Sequence, residues 1–316
     1  MIYQMTLSYL HPRKVYLAIM ARYWRETGNF RRHADIMYRQ TFGRRINWKD
    51  PEDLNQWINW LAFNTDTSAW SLFADKYRVR EIIRDMGYEE TLVPLLASWS
   101  DPDKIDFDNL PDKFVLKINN GAGDVLLIKD KKQADLNDIK RYFRKLYRHP
   151  FGKDSAEPHY LRITPMILAE SMLDAKKQEG ISETLIDYKF WCFNGYVDRC
   201  FVCCDRINDS IKIDLYDAHT WDRIESGRLL YSDKHIRSTS AIPRPKGLNK
   251  MLEMASTLSK GHPQMRIDFY EVDNKVYFGE MTMTGAAGRT TSHTDKSLRE
   301  MGILCSKAIK ELGIRQ

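Results

Sequence analysis

The sequence predicts a fold that mixes helices and strands, of the α+β or the α/β class. Residues 1–75 carry apolar side chains at the spacing of amphipathic helices. Beyond them, short apolar strands appear in pairs around tight turns that contain glycine or asparagine. Polar helical stretches separate these strand pairs, and this mixture is the basis of the prediction.

Three helices are predicted in the amino-terminal region. The first covers LHPRKVYLAIMARYWRET, in which basic residues lie between apolar ones. The second begins near Asp50-Pro51-Glu52, because Asp50 suits a cap and Pro51 suits a first turn, and it continues through LNQWINWLAF. The third covers DKYRVREIIRDMG and ends at Gly87, a residue type that commonly closes helices.

Strand pairs and further helices follow in order. FVLKI and DVLLIKD form a hairpin around a glycine-bearing loop, and MILAESML is a separate strand. Two longer hairpins turn at Asn194-Gly195 and at Asp273-Asn274. The predicted helices are LNDIKRYFRKLYR, LNKMLEMASTLSK and the carboxyl end of the chain, and residues 226–247 are predicted to be a loop.

Composition narrows the class of protein. The chain has 316 residues, 43% of them hydrophobic and 29% charged, which is typical of a globular protein and excludes a disordered or fibrous one. The net charge of +6 arises from 49 basic and 43 acidic residues. This mild excess suits an anionic ligand such as a nucleotide or an acidic glycan, and it does not require nucleic acid as a partner.

Membrane and cysteine signals are weak. No apolar run reaches the roughly 18 residues of a membrane span, and the amino terminus lacks the apolar core of a secretory signal, so a cytoplasmic location is expected. Three of the five cysteines cluster as Cys200, Cys203 and Cys204. A zinc site needs a fourth ligand, so packed thiols in a strand are predicted instead.

The final hairpin carries the clearest functional signal. Asp268 and Glu280 lie on opposite strands, on either side of the turn at Asp273-Asn274, so pairing brings them together. Two neighbouring carboxylates repel each other unless a cation lies between them, and hard oxygen ligands suit magnesium. Arg266 lies two residues before Asp268 and therefore points to the same face. The alternative is a solvated hairpin with two unrelated acids.

Two upstream segments offer weaker signals. Lys117 ends a strand just before the loop Asn119–Gly123, whose amides suit phosphate, although a tight turn explains its glycines equally well. The loop is neither a Walker P-loop nor a Rossmann fingerprint. MILAESML, followed by Asp187-Tyr188-Lys189, suits the lining of a base pocket, and a buried strand is the alternative.

These segments, in this order, resemble the ATP-grasp superfamily and in particular the TupA-like ATP-grasp family, named for teichuronopeptide biosynthesis. The most specific stretches are ADKYRVREII, LPDKFVLKINNGAGD, PMILAESML, DYKFWCFNG and RIDFYEVDNKVYFGEMT. The resemblance implies an α+β ATP-grasp fold, in which two subdomains hold ATP between them, with a mainly helical amino-terminal region. The units expected are residues 1–75, 76–165 with the phosphate loop, and 166–316 with the adenine hinge and metal site.

The resemblance also implies roles for individual residues, with ATP and Mg²⁺ as cofactors. The expected ATP contacts are Lys76 and Lys117 at the phosphates, Gly121, Ala122 and Gly123 in the mobile loop, Glu170, Ser171, Met172 and Leu173 at the adenine hinge, Asp187 at the ribose, and Lys189 at phosphate or substrate. The expected metal ligands are Asp268, Glu280 and Thr282. Arg266 is expected to steady the reacting acyl group, and Arg289 to contact the acceptor.

Two positions depart from the superfamily pattern. Thr282 stands where the wider superfamily has an asparagine ligand, and a threonine oxygen can also coordinate magnesium. The loop reads Asn-Asn-Gly-Ala-Gly, whereas the family more often has His-Gly-Ser-Gly. Because main-chain amides perform most of the binding in such loops, ATP binding is expected to survive this change.

The resemblance implies an ATP-dependent carboxylate–amine ligase that acts through an acyl phosphate. Surface-polysaccharide assembly is the associated process, with a hexuronic acid, free or glycan-linked, as the carboxylate and an amino acid or amino alcohol as the amine. No nucleic-acid partner is expected. The sequence identifies neither substrate and does not indicate the oligomeric state.

Two alternatives remain open at this point. Asp101-Pro-Asp103 and Asp106-Phe-Asp108 imitate the DxD motif of glycosyltransferases that use nucleotide sugars, although a surface loop explains them better. The first helix combines basic and aromatic residues, which suits peripheral docking at the inner face of a membrane. A solvated helix face packed on the core is the simpler interpretation, and docking is compatible with ligation.

Overall fold

A computed structural model describes residues 12–175, 178, 180–207, 209–224 and 227–314. The start of the first predicted helix, at residues 10–11, and residue 226 of the predicted loop lie outside these ranges. Within them the strands form two antiparallel-rich sheets, one of four strands and one of six, with helices packed on them. The α+β prediction is confirmed.

The amino-terminal region is helical, as predicted, but one helix begins later than expected. The helices are α1 Pro12–Glu26, α2 Phe30–Phe42, α3 Leu54–Asn64, α4 Trp70–Ala74 and α5 Val79–Asp85. The cap of α3 is Asp53 and not Asp50, because the Asp53 carboxylate accepts the Gln56 N–H at 2.9 Å. Gly87 follows α5 with a φ of +80°, which suits the predicted helix end.

The smaller sheet has the strand order β1-β4-β2-β3, and all its pairs are antiparallel. Its strands are β1 Leu95–Trp99, β2 Phe114–Ile118, β3 Val125–Ile128 and β4 Ile167–Ser171. Helix α6, Leu136–Arg148, turns Ile139 and Phe143 into a core shared with Phe114 and Leu116. Strand β1 was not predicted from the sequence.

The larger sheet has the order β10-β9-β5-β6-β7-β8. Its strands are β5 Asp187–Phe193, β6 Tyr196–Ile207, β7 Ser210–Asp217, β8 His235–Arg237, β9 Met265–Val272 and β10 Lys275–Thr282. Both predicted hairpin turns are present, and Asn194, Gly195, Asp273 and Asn274 all have positive φ. Strands β7 and β8 were not predicted, and β8 lies within the predicted loop.

Helices α3, α7 (Leu248–Ser259) and α8 (Asp295–Glu311) surround the larger sheet. Eight consecutive residues of α3, from Leu54 to Leu61, are buried, so this helix lies inside the protein. Strand β4, which follows the predicted boundary at 165/166, pairs with β1 and β2 in the smaller sheet. The unit boundaries stay predictions.

Helix α1 has two apolar faces. Leu17 and Ala21 pack with Ile36 of α2, whereas Tyr16 and Ile19 are exposed, Ile19 by 61%. Among the described residues, no helix is both long and apolar enough to cross a membrane. Peripheral docking through α1 stays a prediction.

Candidate active site

The β9–β10 hairpin places Asp268 directly opposite Glu280, and Arg266 opposite Thr282. A symmetric continuation from the turn would instead pair Asp268 with Gly279. A bulge at Gly279 shifts the register by one residue, which turns Glu280 to the face that carries Asp268. A Cβ atom at Gly279 would lie 2.9 Å from the Asp268 carbonyl oxygen, so the bulge requires glycine.

Two basic side chains neutralise this acid pair. Arg266 donates to both carboxylate oxygens of Asp268, at 2.7 and 2.8 Å, and to Glu280 Oε1 at 2.9 Å. Lys189, opposite Asp268 on β5, donates to Asp268 Oδ2 at 2.6 Å. We call Asp268, Glu280, Arg266 and Lys189 the hairpin network. Because the guanidinium already lies between the carboxylates, their repulsion does not by itself require a metal ion.

Glu280 is strongly acidic in this setting. Burial alone would raise its pKa, but the charges of Lys76, Arg266 and Lys189 overcome that effect and hold the pKa at about 2. Its Oε2 atom lies 3.7 Å from Lys76 Nζ, and its Oε1 atom accepts the Thr282 hydroxyl at 3.1 Å. Glu280 is therefore a carboxylate at all ordinary pH values.

The donor set around this pair fits magnesium. Asp268, Glu280 and Thr282 supply carboxylate and hydroxyl oxygens, the hard ligands that Mg²⁺ prefers, and Mg²⁺ commonly needs only one or two carboxylates beside substrate phosphates. Among the described residues, no group of three or more His, Cys, Asp or Glu side chains forms a complete metal cage. The metal assignment stays a prediction that the chemistry of these donors supports.

Lys76 connects the acid pair with the predicted phosphate loop. Its ammonium group donates to the Gly121 carbonyl at 2.5 Å and faces Glu280 on its other side. The backbone holds it there, because Lys76 N–H donates to Asn119 O at 3.1 Å and the Asn119 amide donates to Asp75 at 2.9 Å. Gly121, Ala122 and Gly123 follow β2 after Asn119 and Asn120, and Gly123 has a φ of +81°.

Glu170 lies buried in the middle of the smaller sheet between two cations. Lys117 Nζ is 2.6 Å from Glu170 Oε2, and Arg80 Nη1 is 3.3 Å from Oε1. Ser171, Met172 and Leu173 follow as the end of β4 and the segment beyond it, and all three are half-buried. The Ser171 N–H donates to Pro94 O at 3.0 Å, so this amide is already bonded within the protein.

Asp187 opens β5 beside the hairpin network. Its Oδ2 atom lies 3.2 Å from Lys189 Nζ and 3.5 Å from Arg206 Nη2. Its Oδ1 atom is buried and accepts no hydrogen bond within 3.5 Å, and the Asp187 carboxylate also raises the pKa of the nearby Tyr270 phenol. A buried acceptor without a donor is costly, so it suits a ligand hydroxyl.

The turn Gly285–Gly288 carries Arg289 beyond the metal-site residues. Ala286 and Ala287 are both left-handed, with φ of +49° and +53°, which is strained for residues with a Cβ. Buried Asn55 and Asn59 of α3 hold the turn. Asn55 exchanges two hydrogen bonds with the Thr290 backbone, at 3.0 and 3.1 Å, and Asn59 donates to Gly288 O at 3.1 Å.

Sequence reasoning missed the segment 149–164, which connects α6 with β4. It brings Glu157 and His159 to Thr284, two residues beyond Thr282. No motif marks it, because its partners come from distant parts of the chain. The only available signal was the density of Asp, Glu and His in a glycine- and proline-containing stretch.

The motifs behind the glycosyltransferase alternative have structural roles. The Asp101 carboxylate accepts the Asp103 N–H at 2.9 Å, and Asp103 accepts Arg144 Nε at 2.8 Å. Asp106 accepts the Asp108 N–H at 3.0 Å in the same way. These exposed acids cap turns and pair at the surface, so they give that alternative no support.

The cysteine cluster is buried and forms no disulfide bond. Cys200, Cys203 and Cys204 are all free thiols inside the protein. Burial raises the pKa of each thiol, that of Cys203 to about 12, so none carries a reactive thiolate. The prediction of packed thiols is confirmed.

A family profile described as TupA-like ATPgrasp matches residues 56–304, well over half of the chain. No curated protein matches the sequence. Among solved structures, D-alanine–D-alanine ligase from Bacillus anthracis is 14% identical, with a TM-score of 0.45, over 77% of this chain and 68% of that one. The ATP-grasp ligase PsnB, complexed with minimal precursor, Mg and ADP, is 14% identical over 96% and 75%, with a TM-score of 0.41. The D-cycloserine synthetase DcsG is 12% identical over 76% and 71%, also with a TM-score of 0.41. Similarity at this level assigns no substrate.

Proposed function

This chain belongs to the TupA-like ATP-grasp family and is an ATP-dependent ligase, and we propose that the bond it forms is an amide between a carboxylate and an amine. The observation that carries the proposal is the convergence at Glu280. Lys76, which also holds the phosphate loop, faces one of its oxygens, and Arg266 of the hairpin network faces the other. Such a set of cations and hard oxygens suits a triphosphate and its metal ion.

In this proposal ATP lies between the two sheets. Lys76, Lys117 and the amides of Gly121, Ala122 and Gly123 bind the phosphates. Asp187 accepts a ribose hydroxyl through Oδ1, and the segment Ser171, Met172 and Leu173 lies along the base. Glu170 orients Lys117 through their 2.6 Å ion pair.

The reaction begins when the substrate carboxylate attacks the γ-phosphate of ATP in line. Mg²⁺, held by Asp268, Glu280 and Thr282, would supply charge neutralisation at the phosphoryl oxygens. Lys76 and Lys189 add positive charge from the protein. An acyl phosphate and ADP result, and Arg266 stabilises the oxyanion that forms when the amine attacks the acyl carbon. Closure of the loop around Gly121 excludes water, which would otherwise hydrolyse the acyl phosphate.

We propose a hexuronic acid, free or carried on a glycan or nucleotide, as the carboxylate substrate, and surface-polysaccharide assembly as the setting. Support comes from the family association and from the basic net charge of +6, which favours acidic glycans. A small-molecule or glycan-linked carboxylate and an amine are thus the expected partners.

ADP release tests the function. The protein is screened with ATP, Mg²⁺ and uronic acids, as free or nucleotide-linked sugars, with hydroxylamine as a general amine that traps acyl phosphates. ADP release that depends on a uronic acid, together with a hydroxamate product, is the expected result. Glu280→Gln should reduce this rate at least about 100-fold by removing charge at the phosphoryl group, whereas Glu89→Gln, at an exposed surface position, should leave it unchanged. Turnover of a nucleotide sugar without ADP release would contradict the proposal.

A further inference from the structure

A second group of charged side chains, one buried and one half-buried, lies beside the hairpin network and is not part of it. Glu157, in the segment 149–164, is 5% exposed, and its Oε1 atom accepts the Thr284 hydroxyl. Arg289 follows the strained turn Gly285–Gly288. We call these residues the 157–289 cluster.

The carboxyl and the guanidinium of this cluster lie near each other without pairing. Arg289 bonds to the backbone of Ser155, two residues before Glu157, yet no nitrogen of Arg289 comes within 4.0 Å of a Glu157 oxygen. Arg289 Nη1 instead donates to two backbone carbonyls, of Ser155 at 3.2 Å and of Ala287 at 3.4 Å. Opposite charges held apart in a buried place suit a ligand that carries both charges itself.

Among the described residues, no cationic side chain forms an ion pair with Glu157 within 4.0 Å. His159 Nε2 lies 3.5 Å from the Thr284 hydroxyl, but burial and the charge of Arg162 lower the His159 pKa to about 3, so this imidazole is uncharged. The Tyr160 phenol is also neutral, because burial raises its pKa and the carboxylates of Glu157 and Glu280 raise it further. Glu157 therefore lacks a cationic partner on its own segment.

The cluster lies next to the reacting centre. Thr284 follows Thr282 by two residues, or about 7 Å of extended chain, and the Thr282 hydroxyl lies 3.1 Å from Glu280. The carboxylates of both Glu157 and Glu280 raise the pKa of Tyr160. A nucleophile bound at Glu157 would thus be one small-molecule length from the site of acyl transfer.

Hydrogen bonds also hold the turn that positions Arg289. Asn55 and Asn59 hold the left-handed Ala286 and Ala287 in place, and that turn fixes the backbone from which Arg289 extends. Local strain that is held by several bonds is common in ligand-binding sites.

We propose that Glu157 and Arg289 form the subsite for the amine substrate and that this substrate is an amino acid. Glu157 binds its ammonium group, and Arg289 binds its carboxylate. An amino alcohol would satisfy Glu157 alone and leave the guanidinium without an anion. The inference rests on the proposed amide-forming function and narrows its amine to one class.

Formation of an amide from an ammonium group requires the nitrogen to lose two protons. Glu157 accepts one proton from the bound ammonium, which frees the nitrogen lone pair. That pair forms the C–N bond at the acyl carbon, the C–O bond to phosphate breaks, and phosphate leaves with its electron pair. The second proton on nitrogen passes to the departing phosphate or to water.

The experiment compares two amines in the full chain with ATP, Mg²⁺ and the uronic acid that supports ADP release. Amino acids and the matching amino alcohols are titrated, and hydroxylamine serves as an amine that needs no subsite. Wild type should use an amino acid with a KM about 10- to 100-fold lower than that of its amino alcohol, the range expected for one charge-assisted pair. Arg289→Met should remove this preference and leave the KM for ATP and the hydroxylamine rate within about twofold of wild type.

Glu157→Gln should raise the KM for the amino acid and lower kcat with it, again with the hydroxylamine rate retained. Arg289→Lys keeps the charge and should restore part of the preference, which also covers the case in which Arg289→Met does not fold. Arg299→Met, at an exposed position on α8, is the matched control and should change nothing.

Two outcomes would overturn the subsite: equal use of amino acid and amino alcohol by wild type, or an unchanged preference in Arg289→Met and Arg289→Lys. Failure of the proposed function looks different. In that case wild type shows no carboxylate-dependent ADP release even with hydroxylamine.

Discussion

The hairpin network and the 157–289 cluster are neighbours, but the charged side chains of the network are paired with each other and those of the cluster are not. In the network, Asp268 accepts three charged hydrogen bonds of 2.6 to 2.8 Å, and Arg266 reaches both acids. In the cluster, Glu157 and Arg289 form no ion pair within 4.0 Å and bond to neutral groups instead. A paired network is a preformed electrostatic frame, whereas unpaired charges leave free energy available for a ligand. We infer from this difference that the network maintains the geometry of the site and that the cluster discriminates between substrates.

The largest expected effect is a loss of stability when the hairpin network loses a carboxylate. Asp268→Ala should lower the free energy of unfolding by about 3–5 kcal/mol, because it removes the buried carboxylate that pairs with both Arg266 and Lys189. The Asp268 side chain is 1% exposed and that of Glu280 is 33% exposed, so Glu280→Ala should cost clearly less. Urea unfolding of both variants checks this. Equal losses would mean that the network is not centred on Asp268.

The structure distinguishes two acids that the sequence alone does not distinguish. Spacing alone treats the two acids as equivalent ligands, so removing either one would be expected to spare the fold. Burial separates them. Asp268 supports the structure as well as the site, and Glu280→Gln is therefore the cleaner test of catalysis.

The two centres also differ in how far the sequence predicts them. The network lies mainly on one hairpin, where Asp268 and Glu280 are related by a short turn, so a period-two pattern and a turn signal were sufficient. The bulge at Gly279, which sets the register, was not predictable from that pattern. The 157–289 cluster joins α3, the segment 149–164 and the turn after β10. Such contacts depend on long-range packing, which local periodicity does not encode.

The second prediction concerns the turn Gly285–Gly288, which positions Arg289 of the cluster. In Gly288→Ala, the new Cβ would lie 2.2 Å from Asn59 Nδ2 and 2.9 Å from Asn55 O, at a φ of +62°. We expect a loss of stability of about 2 kcal/mol or more, from backbone strain and displacement of the asparagines, and a higher KM for the amine.

Gly261→Ala is the matched control for this variant. Its φ of +84° is also left-handed, but its Cβ would meet no atom within 4 Å. It should show only the backbone cost of about 1 kcal/mol. If thermal unfolding gives equal losses for the two variants, the asparagine clamp does not hold the turn.

A third prediction uses pH to examine the network. The folded pKa of Glu280 is about 2, below its ordinary value of 4.5. A depressed folded pKa gives stability that is present above pH 4.5 and is lost as pH falls toward 2. Glu280→Gln should remove this part of the pH dependence, so the difference in unfolding free energy between wild type and variant should shrink between pH 5 and 2.5. A constant difference across that range would contradict the pairing of Glu280 with Lys76 and Arg266.

The smallest expected effect concerns Glu157 of the 157–289 cluster, whose pKa shift has the opposite sign to that of Glu280. Burial raises the pKa of Glu157 above its ordinary 4.5, and the opposing effects of Ser155, Thr284 and Arg289 do not reverse the shift. The folded state therefore holds the Glu157 proton more tightly than the unfolded state does, and stability is lost as pH rises above 4.5. Glu157→Gln keeps a neutral hydrogen-bonding group, so it should be as stable as wild type at pH 4 and more stable, by about 1 kcal/mol, at pH 8.

Unfolding of Glu157→Gln at both pH values, beside Glu280→Gln, compares the two carboxyls directly. If Glu157→Gln instead loses stability as pH rises, Glu157 has a charged partner in the folded protein and the two centres do not differ in kind. If the two pH dependences have opposite signs, the Glu280 carboxylate stabilises the fold and the Glu157 carboxylate destabilises it. Saturating amino acid should then remove the pH 8 advantage of Glu157→Gln, because the ligand's ammonium group would give the wild-type carboxylate the partner that the apo protein lacks.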